Sequence, residues 1–577
     1  MPDRHDTQPT PSAAAAAASP ELLVPAGLAE RPTSAPWRSF ATTILIGCAI
    51  GTLLCVLNVL VLFKTGSSFG GSALVALLGA ALLRLVRRLD WQHLFIVFSL
   101  ASSGYVATAA LDTGIGAMML RTGRVPGWAV LIALAIGANL CGALIGVLVA
   151  RSFVFAERLP YPTLRPAVTL MNALTRSGDE QTRSVRRVLP LTAAAGGVLA
   201  LGAQLWDRDT TPALPGLPSY LALSLSPLLV GLGILIGPVA CGWMVLGALY
   251  AVAMWLVQQG GGAEPSYDHH LAYPWVLACG VGIILGYSLM SLVKVRGPLA
   301  HALTAACRPL LASPTGRRWS LAVAVTAAAV LGTMAATQGP SALERVGLVV
   351  LAAALVLVFS LFLNRAGGEV GIAPLAPTLY LSVALLAALG LGSTTVTLAS
   401  ATICSTAVAS LYYSYAVKVA DSAPEEESVP GRRILWTQAI GGVIGAVLGI
   451  SVIVLLARLQ VIGGTGFPAP VAQALGFIDS TVRGSGGYTG TMGLAMGVGG
   501  PIGIALTFVG KAMPTMLGLG ILLPPGYALT VGLGGLVRLG VLHHHPDRRT
   551  SLETAASGLI IGEGVVMVIV LVLRALG

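Results

Sequence analysis

The sequence predicts an all-α polytopic integral membrane protein with about 14–16 transmembrane helices. Long apolar runs such as 40–63, 128–150, 434–457 and 558–576 each reach the roughly 20 residues that a helix needs to cross a bilayer core. Only 10% of the 577 residues are charged, which is too few to keep so much apolar surface in water. The runs lack the alternation of barrel strands, so helices remain as the way to satisfy backbone hydrogen bonds in lipid.

We predict about sixteen spans from these runs. They lie at 40–63, 68–86, 92–111, 127–150, 188–206, 219–236, 238–257, 272–293, 319–337, 344–363, 377–396, 397–417, 434–457, 491–510, 512–540 and 557–576. The stretch 512–540 does not fit a simple count, because Lys511 and the basic cluster 538–549 would both be cytoplasmic with one span between them. Either this stretch is a re-entrant hairpin or Lys511 lies within the membrane.

The positive charges indicate the orientation of the chain in the membrane. The net charge is +11, and arginines crowd the loops 151–187 and 294–318, whereas 207–218 and 258–271 are poor in positive charge or acidic. Because cytoplasmic loops are enriched in Lys and Arg, we expect a multi-pass protein of the bacterial plasma membrane with a cytoplasmic N-terminus. The same reasoning assigns the basic charge to orientation, so we predict no nucleic-acid partner.

The chain divides into a disordered cytoplasmic tail, 1–36, and a transmembrane domain, 37–577. The tail is rich in Ala, Pro and Ser, a composition that cannot bury a core. An apolar span, an arginine, a glutamate and a proline-containing segment follow one another in 129–165 and again in 347–378. This echo favours two pseudo-repeated halves, approximately 37–318 and 319–577. Association into a homo-oligomer is left open.

Several spans are interrupted by proline and glycine. Ser226-Pro227 begins one apolar run and Gly237-Pro238 divides it from the next, while Met513-Pro514 and Leu523–Gly526 interrupt another. Gly499, Gly500 and Pro501 lie inside the run 491–510. Irregular backbone at membrane depth is tolerated where it lines a cavity, and broken helices in corresponding halves mark the binding site of secondary transporters. The alternative is that these positions are kinks or loop ends at the membrane surface.

Four stretches of the chain resemble the oligopeptide transporter family, on its prokaryotic and yellow-stripe-like side. They are Asn58–Gly70 with its Leu-Lys-Thr-Gly-like ending, Glu157–Thr163 with Leu-Pro-Tyr-Pro, Ser226–Pro238 with Ser-Pro-x-x-x-Gly-x-Gly, and Gly558–Gly564 with Gly-Leu-Ile-Ile-Gly-Glu-Gly. They keep the order of the family and extend over residues 40 to 577. The resemblance implies a polytopic, typically proton-coupled carrier that imports small peptides or metal–chelate complexes.

The chain departs from the family in two places. After the second span the family has an amide-rich polar run, whereas this chain has His93–Ser102 without the amides. After Leu-Pro-Tyr-Pro, the segment Leu164–Ala167 replaces the small residues that the family prefers. If the amides of relatives contact the solute, this chain has lost those donors, and it either carries another solute or no longer transports.

Ionisable side chains within spans are costly and therefore mark candidate functional sites. Glu563 lies between two glycines in the last span and, as a lone buried carboxylate, is a candidate for proton coupling; alternatively it begins a helix near the cytoplasmic surface. Lys64 closes the first span and either lines a cavity or extends to the interface. Glu369 precedes a span and could lie at the mouth of a cavity.

Further candidates are polar or motif residues rather than charges. Asn58 and Asn139 lie in mid-span, where they either bind a solute or join helices by hydrogen bonds. Pro160, Tyr161 and Pro162 are included because they form the Leu-Pro-Tyr-Pro loop of the resemblance.

These observations favour a secondary active transporter that imports small peptides, peptide-like solutes or metal chelates, driven by a proton gradient and without a cofactor. The alternative is a non-transporting relative that acts as a membrane scaffold or signalling partner. We predict no enzyme, because the chain has neither a Walker A sequence nor a His-Glu-x-x-His pattern. We also predict no metal site, because His543–His545 has no cysteine or carboxylate at ligand spacing.

Overall fold

The computed structural model describes residues 40–66, 72–176, 180–205, 223–259, 273–294, 296–297, 342–370, 373, 375–423, 427, 429–464, 466–484, 490–509 and 513–576. In these ranges the chain forms α-helices joined by short connections and contains no β-strand. The predicted tail 1–36, the predicted span 319–337 and Lys511 lie outside the described residues.

Within the described ranges, ten α-helices precede residue 295. They are α1 (Ala41–Thr65), α2 (Ser72–Leu85), α3 (Trp91–Tyr105), α4 (Leu111–Thr122), α5 (Trp128–Ala150), α6 (Arg165–Arg176), α7 (Glu180–Leu205), α8 (Pro227–Ile236), α9 (Pro238–Gln259) and α10 (Pro274–Lys294). A turn of π-helix, Arg151–Ala156, extends α5.

In the part of the chain after residue 341 that the structure describes, there are nine α-helices. They are α11 (Ala342–Val370), α12 (Leu375–Ala388), α13 (Ser393–Asp421), α14 (Gly431–Arg458), α15 (Pro470–Arg483), α16 (Gly490–Val509), α17 (Met513–Leu522), α18 (Pro525–His544) and α19 (Arg549–Leu576). Ten helices within the described ranges are long and apolar enough to cross a membrane. The predicted class, an all-α polytopic membrane protein, is therefore confirmed.

Two of the predicted helix interruptions, at Gly237-Pro238 and at Leu523–Gly526, occur in the structure. Helix α8 spans 10 residues and stops before Gly237-Pro238, where α9 begins. Helix α17 also spans 10 residues, and α18 begins at Pro525 after Leu523-Pro524. Ten helical residues rise about 15 Å, half of the thickness of a bilayer core. The stretch 512–540 is thus two helices rather than one continuous span, as the hairpin alternative requires.

Three predicted boundaries differ from the structure. The predicted span 92–111 is a broken helix, because α3 ends at Tyr105 and α4 begins at Leu111 after an unwound segment in which Ala110 has a φ of 71°. The spans predicted at 377–396 and 397–417 divide at 389–392 instead, where Gly390 adopts a φ of 76° that L side chains avoid. Helix α16 continues through Pro501, so the interruption predicted at Gly497–Pro501 is wrong.

The same packing pattern occurs twice in the molecule. The α7–α19 pair corresponds to the α16–α10 pair, and the α8–α18 pair corresponds to the α17–α9 pair. In the same way, α1 packs on α3 as α11 packs on α13. The pattern relates α1–α10 to α11–α19, with each ten-residue helix in an equivalent place. In this pattern α11 is the equivalent of α1, whereas the repeat seen in the sequence made α11 the equivalent of α5. The predicted boundary at 318/319 lies outside the described residues.

The helices form two groups that we call the first and second bundles. The first bundle contains α1–α6 and α11–α15, and the second contains α7–α10 and α16–α19. The two bundles meet chiefly where α1 lies against α19 and α10 lies against α12. Both halves of the sequence contribute to each bundle, so the junction between the bundles is also a junction between the halves.

Candidate functional site

Lys64 lies buried in the last turn of α1. The helix ends at Gly66, which adopts the left-handed conformation at φ 70° and donates its N–H to the carbonyl of Leu62 at 2.7 Å. Lys64 is only 8% exposed, and its Nζ lies 2.8 Å from Oε1 of Glu563 and 3.1 Å from Oγ of Ser226. The alternative of a side chain extended to the membrane interface is therefore wrong.

Glu563 lies in the middle of α19 and is 4% exposed. A Cβ atom at Gly562 would collide with the carbonyl of Ala193 in α7, and one at Gly564 would collide with Leu57 in α1. The two glycines therefore let α19 approach both neighbours and place the carboxylate between them. Glu563 is neither the lone carboxylate nor the helix-start residue near the surface that the sequence suggested, because it is deeply buried and paired with Lys64.

The N-terminus of α8 completes the site. Ser226 is the N-cap, and its Oγ accepts the N–H of Leu229 and lies 2.8 Å from both carboxylate oxygens of Glu563. The N–H of Leu228 donates to Oε2 at 2.8 Å. Helix N-termini carry free N–H donors and partial positive charge, so α8 stabilises the carboxylate together with Lys64. The Lys64–Ser226–Glu563 triad is a buried, neutral and fully hydrogen-bonded group.

The triad forms the wall of a cavity of about 340 Å³ between the two bundles. Its lining combines charged and polar side chains with aliphatic and aromatic ones. The lining residues are Lys64, Ala200, Ala203, Gln204, Ser224, Leu225, Ser226, Val461, Gly464, Gly466, Phe467, Tyr527, Glu563, Val566, Met567 and Val570. The Nζ of Lys64 also lies 5.8 Å from the ring centroid of Tyr527, so the ammonium contacts an aromatic face at the cavity wall.

A family model described as OPT oligopeptide transporter protein matches residues 41–304 and 314–574, nearly the whole chain. The chain belongs to the oligopeptide transporter family. This is a family of transporters, and the match confirms the resemblance drawn from the four sequence stretches. No curated protein matches the chain. Three of the four stretches that resemble the family supply Lys64, Ser226 and Glu563, one residue each.

The fourth stretch, the Leu-Pro-Tyr-Pro loop, lies elsewhere and does not line the cavity. Tyr161 is 1% exposed, donates its N–H to the carbonyl of Gly368 at 2.8 Å and packs edge-on against Tyr415. Glu157 forms an ion pair with Arg365 in the same region. The loop, with Pro160 and Pro162 on either side of Tyr161, therefore joins α5 to α11 and α13. Glu369 lies in the last turn of α11, and its side chain is outside the described part of the structure.

The predicted asparagines are buried but do not line the cavity. Asn139 donates Nδ2 to the carbonyls of Ala107 and Ala135 at 2.7 and 2.8 Å, so it joins α5 to the unwound segment between α3 and α4. Asn58 is 2% exposed in α1. Gly499, Gly500 and Pro501 lie in α16, where a Cβ at Gly499 would collide with the carbonyl of Cys279 and Gly500 lies against Gly286 of α10. Gly499 and Gly500 therefore contact α10, whereas Pro501 is exposed.

The run that departs from the family pattern also packs inside the first bundle. The Oγ of Ser99 lies 2.7 Å from Oγ1 of Thr437, and Gln438 donates to the carbonyl of Ser99 at 2.8 Å. His93 forms a hydrogen bond with Asp90, the N-cap residue of α3. Burial of Asp90 opposes its charged form, but the hydrogen bonds from His93 outweigh this effect and lower the pKa of Asp90. The polar side chains of α3 therefore hold α3 to α14 instead of lining the cavity.

Asp479 and Arg483 form a separate, largely buried group of charges in helix α15. Asp479 is 0% exposed in α15 and forms ion pairs with Arg483, at 2.7 Å, and with Arg121 of α4. The spacing of four residues between Asp479 and Arg483 fits a helical ion pair and was the available signal. Within the described ranges, no group of three or more His, Cys, Asp or Glu side chains is placed to hold a metal ion.

Proposed function

We propose that this chain is a proton-coupled secondary transporter that imports small peptides, peptide-like solutes or metal chelates. The observation that carries the proposal is the buried Lys64–Ser226–Glu563 triad in the wall of a cavity between the two bundles. Charges are costly at membrane depth and persist there where they act on a solute or an ion. We place the chain in the cell membrane with a cytoplasmic N-terminus, as the arginine-rich loops predict.

The size and chemistry of the cavity support a solute of this class. Its volume of about 340 Å³ lies within the range of roughly 300–1,000 Å³ that small-molecule pockets occupy. Its lining offers an ammonium group and hydroxyls together with aliphatic and aromatic contacts. A short peptide carries a carboxylate beside apolar side chains, and a metal chelate carries carboxylates around its metal, so both complement this lining.

The triad also suggests how a proton drives uptake. A proton on Glu563 removes the negative charge that holds Lys64 and leaves the buried ammonium without a counter-ion. An unpaired buried charge is strongly unfavourable, so the carboxylate of a solute then binds Lys64 in place of Glu563. When Glu563 loses its proton, the internal ion pair forms again and displaces the solute. Proton binding and solute binding thereby favour each other.

The departure in 93–102 does not favour the alternative of a non-transporting scaffold. If the family's amides lined the cavity, their loss would remove solute contacts. In this chain the polar groups of α3 bond to α14, and the cavity wall is supplied by other helices. The departure therefore affects how α3 packs against α14, and it leaves the proposed binding site unchanged.

Uptake into proteoliposomes tests the proposal. Labelled di- to hexapeptides and a panel of metal chelates are offered with and without an imposed proton gradient. We expect gradient-driven uptake by the wild type, and we expect Glu563→Gln to abolish driven uptake while exchange of internal and external solute continues. Asp547→Asn, an exposed carboxylate outside the cavity, is the matched control. Absence of driven flux for every solute would overturn the transport proposal, whereas driven uptake by the Glu563→Gln variant would overturn the role of Glu563.

A further inference from the structure

A second acidic group lies outside the triad, at the interruption between α3 and α4. The helix unwinds over 106–110, and Asp112 lies in the first turn of α4. The interruption is deep in the molecule, since Thr108 is 0% exposed and its Oγ1 lies 3.7 Å from Sγ of Cys55, near the middle of α1. Broken helices at this depth are the usual place for a coupling ion in secondary transporters.

Asp112 differs from the other buried acidic side chains of the described residues in having no cation. Glu563 pairs with Lys64, and Asp479 pairs with two arginines. Asp112 is 0% exposed, and its Oδ1 accepts the N–H and the hydroxyl of Thr113 at 2.7 and 3.2 Å. Its Oδ2 has no hydrogen-bond partner within the part of the chain that the structure describes.

The described residues that pack around the interruption between α3 and α4 are mostly small and uncharged. Helix α1 presents Cys55, α13 presents Ala401 against Gly114, and α14 presents Gly449 against Thr108. Helix α15 carries Asp479, which is already held by its own arginines. An unpaired carboxylate in such a place is strongly unfavourable, and the group becomes neutral by taking up a proton.

Two features keep the proton exchangeable. The N–H of Thr113 and the N-terminus of α4 favour the anion, whereas burial favours the neutral acid, so a small increase in hydration releases the proton. Water is excluded because α13 and α14 approach closely through small residues: a Cβ at Gly449 would lie 2.6 Å from Thr108, and one at Gly114 would lie 2.6 Å from Ala401. Water therefore enters when these helices separate.

We propose that Asp112 is a proton-binding site, separate from the Lys64–Glu563 pair, whose proton is exchanged when the interruption between α3 and α4 opens to water. The site binds a proton in the closed arrangement of the first bundle and releases it in an open one. Its contribution to coupling rests on the proposed transport function, whereas the presence of the proton on Asp112 does not.

Infrared difference spectroscopy of the purified full-length protein in nanodiscs tests the presence of the proton. We expect the wild type near neutral pH to give the carbonyl stretch of a protonated carboxylic acid, shifted in deuterium oxide and lost in Asp112→Asn. Asp547→Asn is the matched control and retains the band. Absence of the band from the wild type, its persistence in Asp112→Asn, or its loss when sodium replaces potassium at constant pH would overturn the proposal.

Thr113→Val provides a second variant if Asp112→Asn does not fold. It removes the hydroxyl that donates to Oδ1, so the band should shift in frequency without disappearing. A band at the wild-type frequency would place the proton on another carboxyl group and overturn the proposal.

Proton counting in proteoliposomes tests the contribution to coupling. The number of protons taken up per solute should fall by one in Asp112→Asn, and an unchanged number would overturn this part of the proposal. A wild type that transports nothing would instead contradict the proposed function, while the infrared band would still decide whether Asp112 holds a proton.

Discussion

At the scale of single residues, the triad shows how three weakly informative positions make a specific site. Lys64 of α1, the N-cap residue Ser226 of α8 and Glu563 of α19 hydrogen-bond one another. Buried ion pairs contribute little net stability, because desolvation of both charges offsets their attraction. The stability of the fold therefore does not by itself explain the pair, which supports the proposed role in binding a solute and a proton.

The coupling between the two charges can be measured as stability. Lys64→Met leaves a buried carboxylate without its cation, and Glu563→Gln leaves a buried ammonium without its anion. Each should destabilise the protein by about 3–5 kcal/mol, the usual effect of breaking a buried pair. The double variant removes both charges, so we expect it to be more stable than either single variant in denaturant titrations of the detergent-solubilised protein.

The same experiment with Asp421→Asn serves as the control, because Lys418 and Asp421 form an ion pair in which both side chains are partly exposed. Breaking such a surface pair should change stability by about 0–1 kcal/mol. Strictly additive effects of the Lys64 and Glu563 substitutions would contradict the direct contact between them.

At the scale of helices, the sequence predicted those interruptions that proline causes directly. Proline lacks the N–H that a helix requires, so the ends of α8 and α17 were visible at Pro238 and Pro524. The interruption between α3 and α4 was not visible, because Val106–Ala110 contains neither proline nor glycine. Pro501 wrongly predicted an interruption, because α16 continues through it. Transmembrane helices tolerate proline when neighbouring groups satisfy the freed carbonyls.

Substitutions at two glycines of α16 test whether this segment serves helix packing or bending. Gly499 lies against the carbonyl of Cys279 in α10, whereas Gly497 is exposed and a methyl group added there would meet no atom within 4 Å. Gly499→Ala should therefore destabilise the protein by roughly 1–3 kcal/mol through overpacking. Gly497→Ala should stabilise the helix by about 0.5–1 kcal/mol, since alanine loses less backbone entropy than glycine.

Thermal unfolding and solute uptake of both variants distinguish the two explanations of this segment. A stable Gly497→Ala variant with normal uptake fits a continuous packed helix. Loss of uptake in Gly497→Ala without loss of stability would instead indicate that this part of α16 bends during transport, and would contradict the packing interpretation.

At the scale of the whole molecule, the sequence predicted the class and the family but not the contact that defines the site. Lys64 and Glu563 are 499 residues apart, and neither their spacing nor their local pattern reveals that they meet. Each was visible as a charge within an apolar run. Their meeting depends on the packing of α19 against α1 and α7, which is a property of two bundles assembled from both halves of the chain.

The junction between the bundles should move if alternating access depends on it. Transporters with internal repeats change access largely by rigid-body movement of one bundle against the other. Leu57 of α1 and Gly564 of α19 are in direct contact across the junction, one residue from Glu563. A Cβ at Gly564 would lie 3.3 Å from Cγ of Leu57, so a pair of cysteines at these positions is a candidate for a disulfide, which requires Cβ atoms about 3.5–4.5 Å apart.

We expect the Leu57→Cys/Gly564→Cys variant to lose driven uptake when oxidised and to regain it when reduced, because the disulfide fixes α19 on α1. Mass spectrometry of the linked peptides verifies that the bond has formed. Each single variant under the same oxidant controls for the native cysteines, of which the chain has seven. Because the triad adjoins the linked position, binding of a labelled solute is measured as well: retained binding with lost uptake is the result that movement of the bundles requires. Full uptake by the disulfide-linked protein would show that the α1–α19 junction stays closed throughout the transport cycle.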